Sequence, residues 1–466
     1  MDENTIFQNP KVFVPSQQEV PSPLPESELP QDMQAQSPNR NILKFIIALI
    51  TVAVLVFLFV KMVIPGLQKP KETQVTLSYW GLWESPSVMQ SVITKFEKEN
   101  PNIKISYAVQ DVKQYRERLG TRIKNGTGPD IFSFHNTWLP MLSSDLLPLP
   151  KETLTKEDFT KWFYPVAGND LIKNGAIYGI PVGIDTLSLY VNTTLFEGAN
   201  LQPPTTWVDF ANYAKRLTIK DAGNKITTSG AALGTFNNIT HAPDIVSLLF
   251  AQNGVNLYDI PKTSQAASEA LIFYTAFAMG NSNIWDSTLD QSMLAFAKGN
   301  LAMYFGYSWD FFAIKAINPN LAFAIYPVPH LGSQNMTIAS YWANGVSVKS
   351  SHQKEALLFI KFLAKKETEE KLFTEESKTR FFGQPYARTD LADSLKTNTF
   401  VYPFILQAKD AVSSFFVDST YDNGLNSKMN AYLGKAVESV LGNTSPQTAV
   451  DALSQGVTQV LKQYGQ

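Results

Sequence analysis

The chain has 466 residues, with 39 Lys and Arg against 41 Asp and Glu, four His and no Cys. This near-neutral charge provides no long-range field to attract nucleic acid. The lack of cysteine excludes disulfides, thiolate metal ligands and a lipidated cysteine in this sequence. No two histidines have the spacing of a metal-binding pair, so we expect no metal site. The length suits two or three domains.

The N-terminal region is not typical of a globular fold. Residues 1–40 contain seven prolines and six acidic residues without hydrophobic periodicity, which predicts a disordered Pro-rich tail. The segment Ile42–Ile64 is apolar except for Lys44 and Lys61, and its 23 residues suffice to cross a hydrocarbon core about 30 Å thick. We therefore predict one transmembrane anchor helix over residues 41–64.

A cleaved signal peptide is the alternative interpretation of this apolar segment. The segment is too long for a signal-peptide core, and the residues at its end, Met62–Gly66, do not resemble a small-residue cleavage site. An uncleaved anchor is therefore favoured, followed by a linker at residues 65–71. Basic residues flank the segment on both sides, so the charges do not indicate its orientation.

The sequence after the linker has the pattern of a strand, a helix and a second strand. Apolar residues alternate over 75–79, Ser85-Pro86 is a typical helix start, and alternation returns at 103–107. This βαβ pattern predicts a parallel sheet and the α/β class. Ligands of such sheets lie beyond the carboxyl ends of the strands, where we expect the loop Trp80–Glu84.

Two later segments carry similar signals. Gly126–Phe132 predicts a loop that enters a buried strand, with His135–Trp138 in the loop that follows. A second capped helix is predicted to start at Ser350, with Gln353 completing a capping box. Helical patterns dominate after about residue 380.

The sequence contains no phosphate-binding glycine loop, dinucleotide fingerprint, GxSxG elbow or EF-hand loop. We therefore expect no cofactor. One catalytic hypothesis remains: Glu84, Asp130 and Asp185 could supply a carboxylate pair for glycoside hydrolysis.

Aromatic residues recur at predicted loop positions beside polar ones. Any single ring is as well explained by core packing, but the set suits a sugar, whose C–H faces stack on indole while its hydroxyls need fixed hydrogen-bond partners. The aromatic members are Trp80, Trp83, Trp138, Tyr307, Trp309, Tyr341 and Trp342, and the polar members are Glu84, Asn136, Asp185 and Asn237.

Several segments, in the same order, resemble the extracellular solute-binding proteins of ABC importers, in the group that includes maltose-binding protein. They extend over roughly residues 72–466. The segments are Val75–Glu84, Gly126–Phe132, Ile177–Asn192, Pro203–Trp207 and Ala295–Trp309.

The resemblance implies a two-lobed periplasmic-binding-protein-like (type II) fold, with ligand in the cleft between two α/β lobes joined by a hinge. Tyr326–Pro329 would be one hinge crossing, since its prolines restrict the backbone. Lobe one would comprise residues 72–184 plus 328–378, and lobe two residues 185–327 plus 379–466.

The resemblance also implies roles for individual residues. Trp309 and Trp83 would stack on the ligand, and Asn237 with Phe236 would occupy a loop where sugar-binding members often place an aromatic residue. The remaining positions that match ligand-contacting loops are Glu84, His135, Asn136 and Asp185.

The function implied is capture of a small polar solute, most simply a sugar or oligosaccharide, and its delivery to ABC permease subunits served by a separate ATPase. Such a protein is not an enzyme, and we expect a monomer. The anchor helix would hold the globular domain on the extracytoplasmic side of the cell membrane, in place of a lipid. The alternatives are a membrane-anchored ligand sensor and, less favoured, the glycoside hydrolase.

Overall fold

The computed structural model of the chain describes residues 40–67 and 74–466. The predicted tail at residues 1–39 and most of the predicted linker lie outside the described residues. The chain divides into two compact units, and the second begins at Thr73. In the first unit, Arg40–Leu67 forms one helix, of which the 23 residues Arg40–Met62 are long and apolar enough to cross a membrane.

The described strands alternate with helices along most of the chain. They are β1 (Val75–Gly81), β2 (Ile103–Val109), β3 (Ile131–His135), β4 (Ile172–Lys173), β5 (Ala176–Ile177), β6 (Ile180–Pro181), β7 (Ser188–Asn192), β8 (Ile219–Lys220), β9 (Ile226–Ala231), β10 (Leu301–Gly306), β11 (Phe323–Tyr326), β12 (Thr337–Ile338), β13 (Trp342–Val346) and β14 (Ala411–Val412).

The described α-helices include the apolar N-terminal helix. They are α1 (Arg40–Leu67), α2 (Pro86–Glu99), α3 (Tyr115–Lys124), α4 (Leu139–Leu142), α5 (Lys156–Trp162), α6 (Pro165–Leu171), α7 (Thr193–Gly198), α8 (Trp207–Leu217), α9 (Ala242–Gln252), α10 (Ser264–Ala276), α11 (Ser292–Ala297), α12 (Ser308–Ile317), α13 (Gln353–Leu363), α14 (Lys366–Glu376), α15 (Tyr402–Leu406), α16 (Leu425–Leu441) and α17 (Pro446–Gln463).

Two separate sheets form the frames of two α/β lobes. The first has strand order β2-β1-β3-β13-β6, and the second β11-β7-β10-β9-β8. In the first sheet β1 pairs in parallel with both β2 and β3, while β13 is antiparallel to β3. The βαβ prediction and the α/β class are therefore confirmed.

The chain passes between the sheets more than once. It leaves the first sheet after β6 and enters the second at β7, and it returns between β11 and β13. The predicted crossing Tyr326–Pro329 lies in that return segment. The finer lobe boundaries given above stay a prediction.

The first helix of the globular unit begins where the sequence predicts. The Ser85 hydroxyl accepts a hydrogen bond from the Val88 amide at 3.4 Å, and Pro86 is the first helical residue. This cap places the residues just before it, Trp83 and Glu84, at the carboxyl end of β1.

Two local predictions are wrong. The helix predicted from Ser350 begins instead at Gln353, because the Ser350 hydroxyl accepts from the His352 amide at 3.0 Å and donates to the distant Asp130 carboxylate at 2.5 Å, so it forms a turn before the helix rather than its cap. Trp80 lies within β1 rather than in the following loop, since pairing with β2 continues to the register Gly81↔Val109.

The second predicted loop also differs in its details. His135 is the last residue of β3, and Asn136–Trp138 form a short 3₁₀ helix. After residue 380 the described chain is mainly helical, as predicted, with β14 its one strand.

Candidate ligand-binding site

A cavity of about 300 Å³ lies between segments that follow β1 in one sheet and β10 in the other. Both positions are at carboxyl ends of strands, where α/β sheets commonly bind ligands. The residues that line it are Trp83, Glu84, Asp185, Ser308, Trp309, Phe312, Ser340, Tyr341, Trp342, Glu376, Arg380, Gln384, Ser419 and Tyr421.

One wall of this cavity is an aromatic platform. The Trp309 ring lies flat on the buried Tyr307 ring, with centroids 4.4 Å apart and planes 18° from parallel. The Tyr307 hydroxyl donates to Asp244 at 2.6 Å, and its amide donates to Asp310 at 3.0 Å. Gly306 is required here, because a Cβ would lie 2.5 Å from an Asp310 oxygen. The exposed ring face is therefore held by buried polar contacts.

A buried histidine lies behind this platform. His241 Nε2 is 2.8 Å from Asp310, and its Nδ1 is 2.7 Å from Asp418. Burial alone would lower the pKa of His241, but Asp418 and Asp310 raise that pKa well above the usual value. Because the Asp418 amide also donates to Asp244 at 3.0 Å, the network ties the segment that carries Ser419 and Tyr421 to the platform.

Three of these acidic and imidazole groups are close enough to suggest a metal site. Ligand atoms of His241, Asp244 and Asp418 lie within 4.8 Å of one another. However, both ring nitrogens of His241 already contact carboxylates. The arrangement is therefore that of an ion-pair network.

Asp185 is a buried acceptor at the edge of the platform. Its carboxylate accepts from the Ser308 amide at 3.0 Å, from the Ser308 hydroxyl, and from the Thr186 amide at 2.9 Å. Burial raises the pKa of Asp185 to about 8, although these hydrogen bonds oppose the shift. The side chain fixes the start of α12 while it lines the cavity.

The opposite wall carries a second group of aromatic rings. Trp83 is 49% exposed and meets the Trp342 ring edge to face at 5.5 Å. His135 and Trp138 support Trp342 from behind, at 5.3 and 5.1 Å between centroids. Tyr421 approaches Trp83 at 6.4 Å.

Glu84, Glu376 and Arg380 form the charged part of the cavity. Arg380 pairs with Glu376 at 2.6 Å, and the guanidinium lies 5.0 Å from the Phe312 ring centroid. Burial, and then the charge of Glu376, raise the pKa of Glu84 to about 7. Burial also raises the pKa of Glu376.

Some predicted residues line the cavity and others lie behind it. Those that line it are Trp83, Glu84, Asp185, Trp309, Tyr341 and Trp342. Those behind its walls are His135, Trp138 and Tyr307, all fully buried. His135 reaches the wall through Ser340, 3.0 Å from its Nε2.

Other predicted residues lie elsewhere. Trp80 is partly buried against the core of its own lobe. Asn136 donates to Asp170 and Ser413, both at 2.9 Å, beside a different cavity of about 210 Å³. Phe236 and Asn237 line a third cavity of about 460 Å³.

Asp130 is also outside the ligand cavity, since it accepts hydrogen bonds from Ser78 at 2.8 Å and from Ser350. The carboxylate-pair hypothesis is therefore left with Glu84 and Asp185. Sequence reasoning did not find the remaining lining residues, namely Ser308, Phe312, Ser340, Glu376, Arg380, Gln384, Ser419 and Tyr421.

Comparison with known proteins identifies the family. Residues 80–370 match the family described as bacterial extracellular solute-binding protein. The multiple sugar-binding protein of Streptococcus mutans is 24% identical over 323 residues, which cover 63% of this chain and 72% of that protein. An uncharacterized ABC transporter extracellular-binding protein of Pyrococcus horikoshii is 25% identical over 315 residues, covering 64% of this chain and 71% of that protein.

Solved structures of similar proteins share the fold. The sugar-binding protein MalE of Xanthomonas citri has a TM-score of 0.69 at 19% identity, covering 83% of this chain and 98% of that chain. A solute-binding protein of Thermotoga lettingae, solved with alpha-D-tagatose, has a TM-score of 0.60 at 22% identity, covering 83% and 99% respectively. These matches confirm the predicted two-lobed fold.

Proposed function

We propose, from the premise that the chain belongs to the bacterial extracellular solute-binding protein family, that it captures a carbohydrate in the cavity lined by Trp83 and Trp309. The observation that carries the proposal is the Trp309 ring, which stacks on Tyr307 and leaves one face toward the cavity. Aromatic faces with acceptor side chains around them suit the C–H faces and hydroxyls of a sugar ring. The relatives named for sugar binding support the same ligand class.

The mechanism is a shift between conformations rather than a reaction. Segments next to both sheets line the cavity, so a ligand gains its full set of contacts only when the two sides meet. Binding then favours the closed arrangement by the difference in affinity between the two forms. The ligand would leave unchanged, for delivery to permease subunits whose ATPase is a separate chain.

The apolar helix α1 would anchor this binding protein in the cytoplasmic membrane, with the globular unit outside. The 23 residues Arg40–Met62 are long and apolar enough for one crossing. Protease treatment of intact cells tests the topology: digestion of the globular unit is expected, and protection of that unit would contradict an external location.

Ligand binding is tested on the full-length protein in nanodiscs, with a panel of sugars, polyols, amino acids and phosphate esters. Thermal unfolding and tryptophan fluorescence report binding, and product analysis checks for hydrolysis. A ligand at one hundred times its dissociation constant should stabilise the protein by about 2.7 kcal/mol. Stabilisation by a sugar without hydrolysis is the expected result. Failure of every sugar to bind would refute the proposal and favour a sensor of another solute.

A pair of variants assigns the binding to this cavity. Trp309→Ala removes the exposed ring, and we expect sugar affinity to fall at least tenfold. Tyr258→Ala is the control, because Tyr258 is 53% exposed and lies outside this cavity. Equal losses of sugar affinity in the two variants would show that the sugar does not bind at the Trp309 platform.

A further inference from the structure

Acidic side chains outnumber basic ones in the lining of the cavity. Three carboxylates line it, those of Glu84, Asp185 and Glu376, and the one cationic lining side chain in the described part of the chain is Arg380. Arg380 is already paired with Glu376 at 2.6 Å. Glu84 and Asp185 therefore form no salt bridge among the described residues, although the charge of Arg380 partly opposes the rise in the pKa of Glu84.

These two carboxylates differ in how the protein itself stabilises them. Asp185 accepts hydrogen bonds from Ser308 and Thr186. Within the described residues, the Glu84 carboxylate receives no hydrogen bond from another side chain, and only backbone groups at Trp83 and Glu84 favour its charged form in this way. Of the cavity's carboxylates, Glu84 is the one that depends most on what the ligand supplies.

A bound ligand excludes water from these groups. Removing water from an unpaired carboxylate is costly, and a nearby cation offsets that cost. A neutral sugar offers only hydroxyl donors to Glu84, whereas an ammonium group offers a charge-assisted hydrogen bond. Loss of water around Glu84, followed by the nearby charge of Glu376, also raises the pKa of Glu84, because both disfavour its charged form.

The aromatic walls also favour a cation. Trp83 is 49% exposed, Tyr421 is 47% exposed, and their rings are 6.4 Å apart beside Glu84. The faces of indole and phenol rings attract ammonium groups, most strongly where water is excluded. Carboxylate and aromatic groups thus coincide on one side of the cavity.

We propose that the ligand is a carbohydrate that carries a protonated amine, and that Glu84 binds the ammonium group beside the ring of Trp83. This inference rests on the proposed function of sugar capture and specifies its substrate class.

The test compares sugars that differ in one substituent. Full-length protein in nanodiscs is titrated at neutral pH with glucosamine, N-acetylglucosamine and glucose, with the same three forms of galactose and mannose, and with β-1,4-linked disaccharides of glucosamine, N-acetylglucosamine and glucose. We expect at least one amino sugar to bind roughly tenfold or more tighter than both neutral counterparts, as a charge-assisted hydrogen bond predicts. That preference should weaken as salt is added.

A variant then assigns the preference to Glu84. Glu84→Gln keeps the size of the side chain and removes its charge, so the ratio of amino-sugar to neutral-sugar affinity should fall close to one. Glu152→Gln is the matched control, because Glu152 is exposed and outside the cavity, and it should leave the ratio unchanged. Both affinities in each ratio are measured on the same variant. Partial unfolding would lower them equally and would leave their ratio unchanged.

The outcomes separate the inference from the function on which it rests. If neutral sugars bind as tightly as amino sugars, the inference is wrong and sugar capture stands. Tighter binding of glucuronic acid would also overturn it, in favour of recognition by Arg380. If no sugar of any kind binds, both proposals fail.

Discussion

The cavity wall that carries Trp309 and the wall that carries Trp83 differ in how their polar groups are satisfied. Behind Trp309, the Asp310 carboxylate contacts His241, the Tyr304 hydroxyl and the Tyr307 amide, all within 3.0 Å. On the Trp83 side, Glu84 lacks a side-chain partner among the described residues, and Trp83 itself is half exposed. The Asp310 carboxylate behind the first wall thus has its hydrogen-bond donors within the protein, whereas the Glu84 carboxylate in the second wall has none from a side chain.

This difference assigns different tasks to the two walls. A platform whose groups are already bonded loses little conformational freedom when a ligand arrives, which favours affinity. A wall with an unpaired acceptor gains a partner only from the ligand, which favours discrimination between ligands. The cleft therefore combines a preformed stacking surface with a selective one.

The largest expected loss of stability comes from breaking the network behind Trp309. His241→Gln removes a buried cation and leaves the buried Asp310 and the partly exposed Asp418 without a cationic partner, so the free energy of unfolding should fall by about 3–5 kcal/mol. Urea denaturation at neutral pH measures the loss. His352→Gln is the control, since His352 caps no helix with its side chain. A loss below about 1 kcal/mol would show that the network does not stabilise this wall.

The pH dependence gives a second check on His241. Because the folded-state pKa lies well above the ordinary value of 6.5, the protonated imidazole contributes its full stability below about pH 6.5. That contribution should be lost as pH rises through the folded-state pKa. The difference between wild type and His241→Gln should therefore narrow at alkaline pH, and a difference that widens there would contradict the assigned charge.

An intermediate loss of stability is expected when the Tyr307 hydroxyl is removed. Tyr307→Phe keeps the ring beneath Trp309 but removes the 2.6 Å hydrogen bond to Asp244. Leaving a buried acceptor without this donor costs about 1–3 kcal/mol of folding free energy. Thermal and urea unfolding measure it, with Tyr258→Phe as the exposed control. Unchanged stability would mean that Asp244 finds another donor.

Local signals in the sequence predicted much of the fold. The alternation from Val75 and the Ser85-Pro86 cap depend only on neighbouring residues, and both appear where expected. The prediction of a cap at Ser350 failed because a hydrogen bond to Asp130, 220 positions away in the chain, holds its hydroxyl in a turn where it accepts from the His352 amide instead of capping the helix. A contact of that range leaves no local pattern to detect.

The candidate site shows the same limit. Trp83 could be predicted because it follows a recognisable strand, and Trp309 because its segment resembles those of known solute-binding proteins. Arg380, Tyr421 and His241 could not, because only the tertiary packing of distant segments brings them to the cavity or behind it. No spacing in the sequence relates these three residues to one another.

A smaller change in the free energy of unfolding, in this case an increase, is expected when Glu84 in the Trp83 wall is replaced. The raised pKa of Glu84 means that its charge destabilises the ligand-free fold above about pH 7, whereas no cost remains near pH 4.5, where the unfolded chain titrates. Glu84→Gln should therefore increase stability at pH 8 by roughly 1 kcal/mol, once partial solvent screening is allowed for. Urea unfolding at the two pH values measures it. A variant that is less stable than wild type at pH 8 would show that Glu84 has a stabilising partner.

The smallest expected loss of stability comes from removing the helix cap next to Glu84. This change tests whether the cap positions the Trp83 wall for sugar binding. Ser85→Ala removes the cap next to Glu84, and the cost should be about 0.5–1 kcal/mol because the hydroxyl is exposed and its bond to the Val88 amide is 3.4 Å long. Ser445→Ala is closely matched, since Ser445 caps α17 in the same way, with Pro446 following and the Thr448 amide at 3.2 Å. The two variants should lose similar stability, but only Ser85→Ala should weaken sugar binding, by a few fold, because its cap fixes the turn that orients Trp83 and Glu84. Equal affinities in the two variants would show that the ligand itself, rather than the cap, sets the position of this wall.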